Sequence, residues 1–228
     1  LLAGITSIIY DGTPLHGKDG KQNPGIWFET MAKLETDVVF SSPTAFRMLR
    51  KYPEEHIKKH DLSNLKYLFL AGEPLDPPTY KWAKSVLGEV EIIDNYWQTE
   101  TGWPVLCNPV GVKGEEELPI KPGSPTKPCW TWNLEVVDKK GKKVPADTKG
   151  YLVAHPPTPP GFMLTVYGDD ERFVQTYWKE FSNIDVYYTG DYAIQDEDGY
   201  YYVLGRADEV IKVAAHRLGT REIEELLN

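Results

Sequence analysis

Proline spacing divides this chain of 228 residues into two regimes. Prolines stand at 104, 109, 119, 122, 125 and 128. Each locks φ and removes an N–H donor, so no long helix fits across that stretch. Before it, helix-like and strand-like segments alternate. Residues 27–35 place Trp27, Phe28, Met31 and Leu34 on one helical face, and 37–40 is a short apolar strand. Residues 43–52 read as a helix with Pro43 at its first position, where the missing N–H is harmless. Then come a strand at 67–70, a helix at 77–87 and a strand at 90–96. That alternation predicts βαβ units in a partial parallel sheet, with function at the C-terminal ends of the strands.

After the prolines the pattern becomes short strands and turns, at 134–138, 150–155 and 186–188. Lys140-Gly141 marks a turn, and 196–199 (DEDG) is a hairpin signal with its return strand at 200–204. These segments predict a small antiparallel β-barrel or sandwich, with a short helix somewhere in 163–175. No internal repeat or low-complexity tract interrupts either half. The expected division is 1–106 as part of an α/β subdomain, 107–205 as the barrel-like subdomain, and 206–228 as a third piece.

Charge excludes several functions. Lys and Arg total 25 against 34 Asp and Glu, a net charge of −9. Such a surface repels phosphate backbones and anionic lipid, so neither nucleic acid nor a membrane is the expected partner. No apolar run approaches the roughly 20 residues of a membrane span. Cys107 and Cys129 cannot build a disulfide scaffold; they read as buried small apolar residues of a protein in a reducing cytoplasm. His155 and His216 are isolated, and no Cys/His spacing supports zinc.

Four segments carry candidate chemistry. Residues 94–102, DNYWQTETG, follow an apolar strand with Asp, Asn, Gln, Thr and Glu. Hydroxyls and amides at a strand end can hold phosphate oxygens, and a carboxylate can hold Mg²⁺; the same residues could simply cap a polar turn. Residues 70–74, LAGEP, also follow a strand, and Gly72 would let a flat ligand approach the backbone; an ordinary strand-to-helix turn is the other reading. In 188–191, YTGD, Asp191 could accept from two ribose hydroxyls or close an Asx-turn. In 205–224, GRADEVIKVAAHRLGTREIE, Arg206 and Arg217 flank a short apolar strand. Arg suits bidentate phosphate binding, although a surface ion-pair network with Asp208 and Glu209 has the same composition.

In this order the four segments resemble the AMP-forming acyl-CoA synthetases, adenylate-forming ligases that also include luciferase and peptide-synthetase adenylation domains. The likeness runs end to end and is strongest to the acetyl- and propionyl-CoA synthetase branch. YWQTETG is nearly that branch's signature, and GDDERFVQTYW (168–178) is similar to its counterpart segment. The resemblance implies that Gly72, Glu73 and Pro74 line the adenine, with Asp94 and Asn95 on its other edge and Tyr96, Trp97 and Gln98 beside the nucleotide. It implies that Thr99 contacts the α-phosphate, that Glu100 ligates Mg²⁺, and that Asp191 holds the ribose. Arg206 would reach the ribose and phosphates, Arg217 the phosphate, and Asp208 would be the hinge to a C-terminal lid domain. Trp97 would close the acyl pocket, and Ala71, where relatives carry Val, would open room for about one more carbon.

Two catalytic pieces that the resemblance implies would lie outside the chain: a Gly-rich phosphate loop before Leu1 and a Lys beyond Asn228. The resemblance thus implies a fragment of an acid–thiol ligase using ATP, Mg²⁺, CoA and acetate or propionate, inactive by itself. Ala214 and Ala215 stand where relatives have a Gly along the CoA channel, so thioester formation is less secure than adenylation. A non-catalytic AMP/ATP-binding fragment and a nucleotide-independent β-rich module are the alternatives.

Overall fold

The computed structural model describes residues 4–16 and 20–208, and the backbone of 210–213 and 216–219. Strands β1 (Val38–Ser41), β2 (Tyr67–Ala71) and β3 (Glu91–Tyr96) run parallel in that order, and β4 (Leu106–Cys107) adds antiparallel to β3. Four helices accompany them: α1 (Ile26–Lys33), α2 (Pro43–Leu49), α3 (Glu55–Lys58) and α4 (Pro77–Leu87). Two helices begin on the signals their sequence carries. Ser42 caps α2 and Asp76 caps α4, each accepting from a backbone N–H of the first turn, at 3.4 and 2.8 Å, with proline following the cap.

Helix α2 stops at Leu49 rather than running to 52. Pro53 disfavours the helical conformation of the residue before it, and the chain leaves the helix over the preceding turn. The short α3 and β4 carry no periodic signal and were not anticipated. Strand β2 buries Leu68, Leu70 and Ala71, while β3 buries Ile92, Ile93, Asp94 and Asn95 in succession. Four consecutive buried positions mean that β3 is covered on both faces, as parallel strands are. Phe46, Leu75, Ala83 and Val90 close the core over one face.

The second sheet is an antiparallel meander of β5 (Asn133–Val137), β6 (Gly150–His155), β7 (Tyr187–Gln195) and β8 (Tyr201–Arg206). It curls strongly: the hydroxyl of Tyr201 on β8 donates to the carbonyl of Leu134 on β5 at 3.0 Å, although two strands separate them in sheet order. Tyr201, Tyr187, Leu152, Trp132 and Phe162 fill the concave side together with Val105 and Leu106. Since Leu106 belongs to β4, the two sheets share one core. The expected fold class is the one observed, a partial parallel α/β unit followed by a small antiparallel β unit.

The helix expected within 163–175 lies later, as α5 (Asp170–Trp178). Its start is fixed by Asp169, whose side chain accepts from Arg172 N at 3.0 Å, with Asp170 and Glu171 in the first turn. Beyond β8, β9 (Val210–Val213) and β10 (His216–Gly219) pair antiparallel. No helix among the described residues is long and apolar enough to cross a membrane.

Candidate nucleotide site

Strands β2 and β3 end side by side, with Ala71 opposite Asn95. Immediately after β2, Gly72 has φ +99°, and a Cβ there would have no atom within 4 Å. That conformation favours glycine, and the space beside it is open. Glu73 and Pro74 complete the turn. The Glu73 carboxylate accepts from Thr44 N at 2.6 Å, binds the Thr44 hydroxyl and pairs with Arg47 on α2; Arg47 also reaches Asp76 at 3.0 Å. Burial pushes the Glu73 carboxyl up, but the Thr44 and Arg47 bonds outweigh it and hold it below the ordinary range. Glu73 thus anchors its turn to α2, and the turn offers a ligand its backbone at Gly72 and the ring of Pro74.

Across the strand ends, Asp94 and Asn95 are buried. Asp94 accepts from Asn95 N at 2.8 Å and from Leu75 N at 3.4 Å, tying β3 to the turn after β2. Asn95 Oδ1 is buried with no hydrogen-bond partner among the described residues. An unpaired buried acceptor costs about 1–3 kcal/mol.

A chain of hydrogen bonds then joins β3 to β7. Tyr96 donates to Asp191 Oδ2 at 2.6 Å, and Gln98 Nε2 donates to the same oxygen and to Thr189 O, each at 2.8 Å. Tyr187 donates to Gln98 Oε1 at 2.7 Å, which fixes which end of the amide faces Asp191. Both donors thus converge on one carboxylate oxygen. Burial raises the Asp191 carboxyl above its ordinary range, and the Tyr96 bond and Arg206 only partly offset that. Burial, then the charge of Asp191, holds the Tyr96 phenol far above its usual range, so it remains a donor.

Arg206 lies opposite Asp191 in the β7–β8 register. Its guanidinium bonds Thr189 O at 3.2 Å and Asp208 at 3.0 and 3.3 Å, and it lies close over Gly190. Thr99 is exposed, and Glu100 half-buried, in a single 3-10 turn, Thr99–Thr101. Tyr177 on α5 donates to Glu100 Oε1 at 2.7 Å, and Met163 N bonds the Glu100 carbonyl at 2.8 Å. No cluster of three His, Cys, Asp or Glu side chains among the described residues could hold a metal unaided. A single carboxylate nonetheless suits Mg²⁺, which keeps several waters and binds through one or two carboxylates plus substrate phosphates.

The structure therefore gathers Gly72, Glu73, Pro74, Asp94, Asn95, Tyr96, Gln98, Asp191 and Arg206 around adjoining strand ends. Ala71 is buried at the end of β2, and Trp97, just past β3, is 41% exposed. Asp208 is on the surface beside Arg206. Arg217 stands opposite Lys212 in the β9–β10 pair. Ala214 and Ala215 lie outside the described residues. Thr44, Arg47 and Tyr187 carry no motif in the sequence, while Tyr177 and Thr189 lie within the 168–178 and 188–191 segments without a role of their own there. Only the recurrence of Tyr187, Thr189 and Asp191 at every second residue of one strand carried a usable signal.

Residues 1–164 match the family described as AMP-binding enzyme. The chain is 46% identical over its full length to "Propionate--CoA ligase" of Escherichia coli, covering 35% of that protein. It is 42% identical over its full length to "Acetyl-coenzyme A synthetase" of Pyrobaculum aerophilum, covering 32% of it. The chain thus spans about a third of the length of these curated relatives. Among solved structures, the anthranilate CoA ligase AuaEII in complex with anthranoyl-AMP superposes with a TM-score of 0.72 at 28% identity, over 89% of this chain and 36% of the ligase.

Proposed function

The chain belongs to the AMP-binding enzyme family, and from that premise we propose that it supplies the nucleotide-holding part of an AMP-forming short-chain acyl-CoA synthetase. The observation that supports the reading is the convergence at the ends of β2 and β3 of the open Gly72 backbone, the Asp94–Asn95 pair and the Asp191 carboxylate that Tyr96 and Gln98 hold by one oxygen. Asp94 and the turn of Gly72, Glu73 and Pro74 would frame the base. Asp191 would take the ribose hydroxyls on Oδ1, since Tyr96 and Gln98 already hold Oδ2.

In this reading a carboxylate oxygen of acetate or propionate attacks the α-phosphorus of ATP. The bond to pyrophosphate breaks, and an acyl-adenylate forms. The thiol of CoA then attacks the acyl carbon and AMP leaves. Thr99 would donate to the α-phosphate, while Arg206 and Arg217 neutralise developing charge, the main lever in phosphoryl-type transfers. Glu100 would hold Mg²⁺, which supplies charge neutralisation on the phosphates when bound. Trp97 would wall the acyl pocket beside Ala71. Asp208 would be the hinge, and Ala214 and Ala215 would border the CoA path. The division at 1–106, 107–205 and 206–228 and a cytoplasmic location belong to the same proposal.

Carboxylate-dependent ATP–pyrophosphate exchange by the full-length protein tests it. Exchange with C2 to C4 acids supports the reading. ATP binding without exchange would leave a non-catalytic nucleotide binder, and no ATP or AMP binding at all would remove the nucleotide.

A further inference from the structure

The turn that presents Glu100 is held from a direction the sequence motif does not reveal. Tyr177 comes from α5, and no residue of α5 is itself fully buried. The helix is fixed to the core through Phe173, Tyr177 and Trp178. The Tyr177 ring stacks on that of Tyr187, with centroids 5.7 Å apart and planes at 28°, and it also touches Phe173. Tyr187 is fully buried and orients Gln98, so the surface against which Tyr177 packs is itself rigid. Its hydroxyl is therefore placed by ring packing rather than by the flexible partner it meets.

We infer that Tyr177 is a positioning residue for Glu100: its hydroxyl, donating to Oε1 at 2.7 Å, fixes the carboxylate so that Oε2 is left for the Mg²⁺ that accompanies ATP. This rests on the reading of Glu100 as the cation ligand. Two facts make the fixation matter. A glutamate side chain ordinarily loses substantial rotamer entropy on being immobilised, and here that loss is taken before ligand arrives. The Glu100 backbone is also pinned, by Met163 N, so both ends of the residue are set. Partners that orient a metal ligand are typically worth 10–100-fold in metal affinity.

The test uses Mn²⁺ as a spectroscopic substitute for Mg²⁺ in the full-length protein, with a non-hydrolysable ATP analogue. Mn²⁺ binding is read by electron paramagnetic resonance in the wild type, Tyr177→Phe, Glu100→Gln and the double variant. Phe keeps the ring stack, and metal-free AMP binding reports whether the site is otherwise intact. Tyr177→Phe should weaken Mn²⁺ binding by about 10-fold with metal-free AMP binding unchanged. The double variant should bind Mn²⁺ no worse than Glu100→Gln, because the two groups act as one unit. Wild-type Mn²⁺ binding by Tyr177→Phe, while Glu100→Gln loses it, overturns the inference and leaves the Glu100 assignment standing. Equal loss of metal-free AMP binding would reduce Tyr177 to a packing residue and also overturn it. If Glu100→Gln binds Mn²⁺ as the wild type does, the Glu100 assignment itself fails.

Discussion

Replacing Arg47 by Met tests whether the turn after β2 is held in place by charge. Arg47 bridges Glu73 and Asp76, and the three side chains are 20%, 31% and 12% exposed. Removing one partner of a fully buried pair costs about 3–5 kcal/mol, and of an exposed pair about 0.2–1. These side chains lie nearer the buried limit, but neither carboxylate is stranded. Glu73 keeps both bonds from Thr44, and Asp76 keeps Thr79 N. The cost should therefore be about 2 kcal/mol, a roughly 30-fold increase in local opening. Met preserves the length and apolar contacts of the Arg stem, so the loss is electrostatic.

The pH dependence gives the sign. Burial raises both carboxyls, but hydrogen bonds and Arg47 outweigh it and hold both below their ordinary values of 4.5 and 3.8. Depressed carboxyls contribute stability above those values and lose it as pH falls through the native ones. The Arg47→Met deficit should thus be full at pH 7 and shrink below about pH 4. Hydrogen exchange at the Leu75 and Thr79 amides, which bond Asp94 and Asp76, reads this locally in the full-length protein. A deficit below about 0.5 kcal/mol at pH 7, the range of an exposed pair, or one unchanged at pH 2, would refute the reasoning.

Three other outcomes are expected. If Trp97 walls the acyl pocket as proposed, Trp97→Gly should lengthen the preferred carboxylic acid of the full-length protein, measured as exchange rates across C2 to C6 acids; an unchanged profile would remove Trp97 from the pocket. Cys107 and Cys129 are half-buried rather than buried as their composition suggested, yet desolvation raises their thiols to about 12 and about 11, so alkylation by iodoacetamide at pH 8 should be at least ~100-fold slower than for a free thiol near 8.5 until the protein unfolds; rapid labelling of the folded protein contradicts it. Gly102→Ala should destabilise the 99–102 turn by roughly 2–4 kcal/mol, because φ is +71° and the added Cβ would fall onto the Gly161 carbonyl; the variant should also lose protection at Met163 N, and a cost equal to that of Gly168→Ala, where φ is +70° and the space is open, would show that no collision occurs.

What could be read from the residues alone was the part of the protein governed by local rules. Pro43 starts its helix wherever the chain goes, and the residues of β2 read as a buried strand because their apolar run is short and bounded. The motif at 94–102 also announced itself, because polar residues so dense after an apolar strand are conspicuous. The end of α2 was less legible, since Pro53 acts on its predecessors through backbone sterics rather than periodicity. The start of α5 was missed because its cap, Asp169, lies in a polar run with several equivalent candidates.

Tertiary structure alone decided who holds whom. Tyr187 lies 89 residues from Gln98, Tyr177 lies 77 from Glu100, and Arg47 lies 26 from Glu73. Such pairs obey no period, because they are set by how two sheets and a helix meet, and any hydroxyl or guanidinium in the chain could have filled the role. The sequence by itself determined which polar groups stand at the strand ends. The fold determined which oxygen of each carboxylate is already taken, because a carboxylate's two oxygens are chemically equal until a neighbour occupies one.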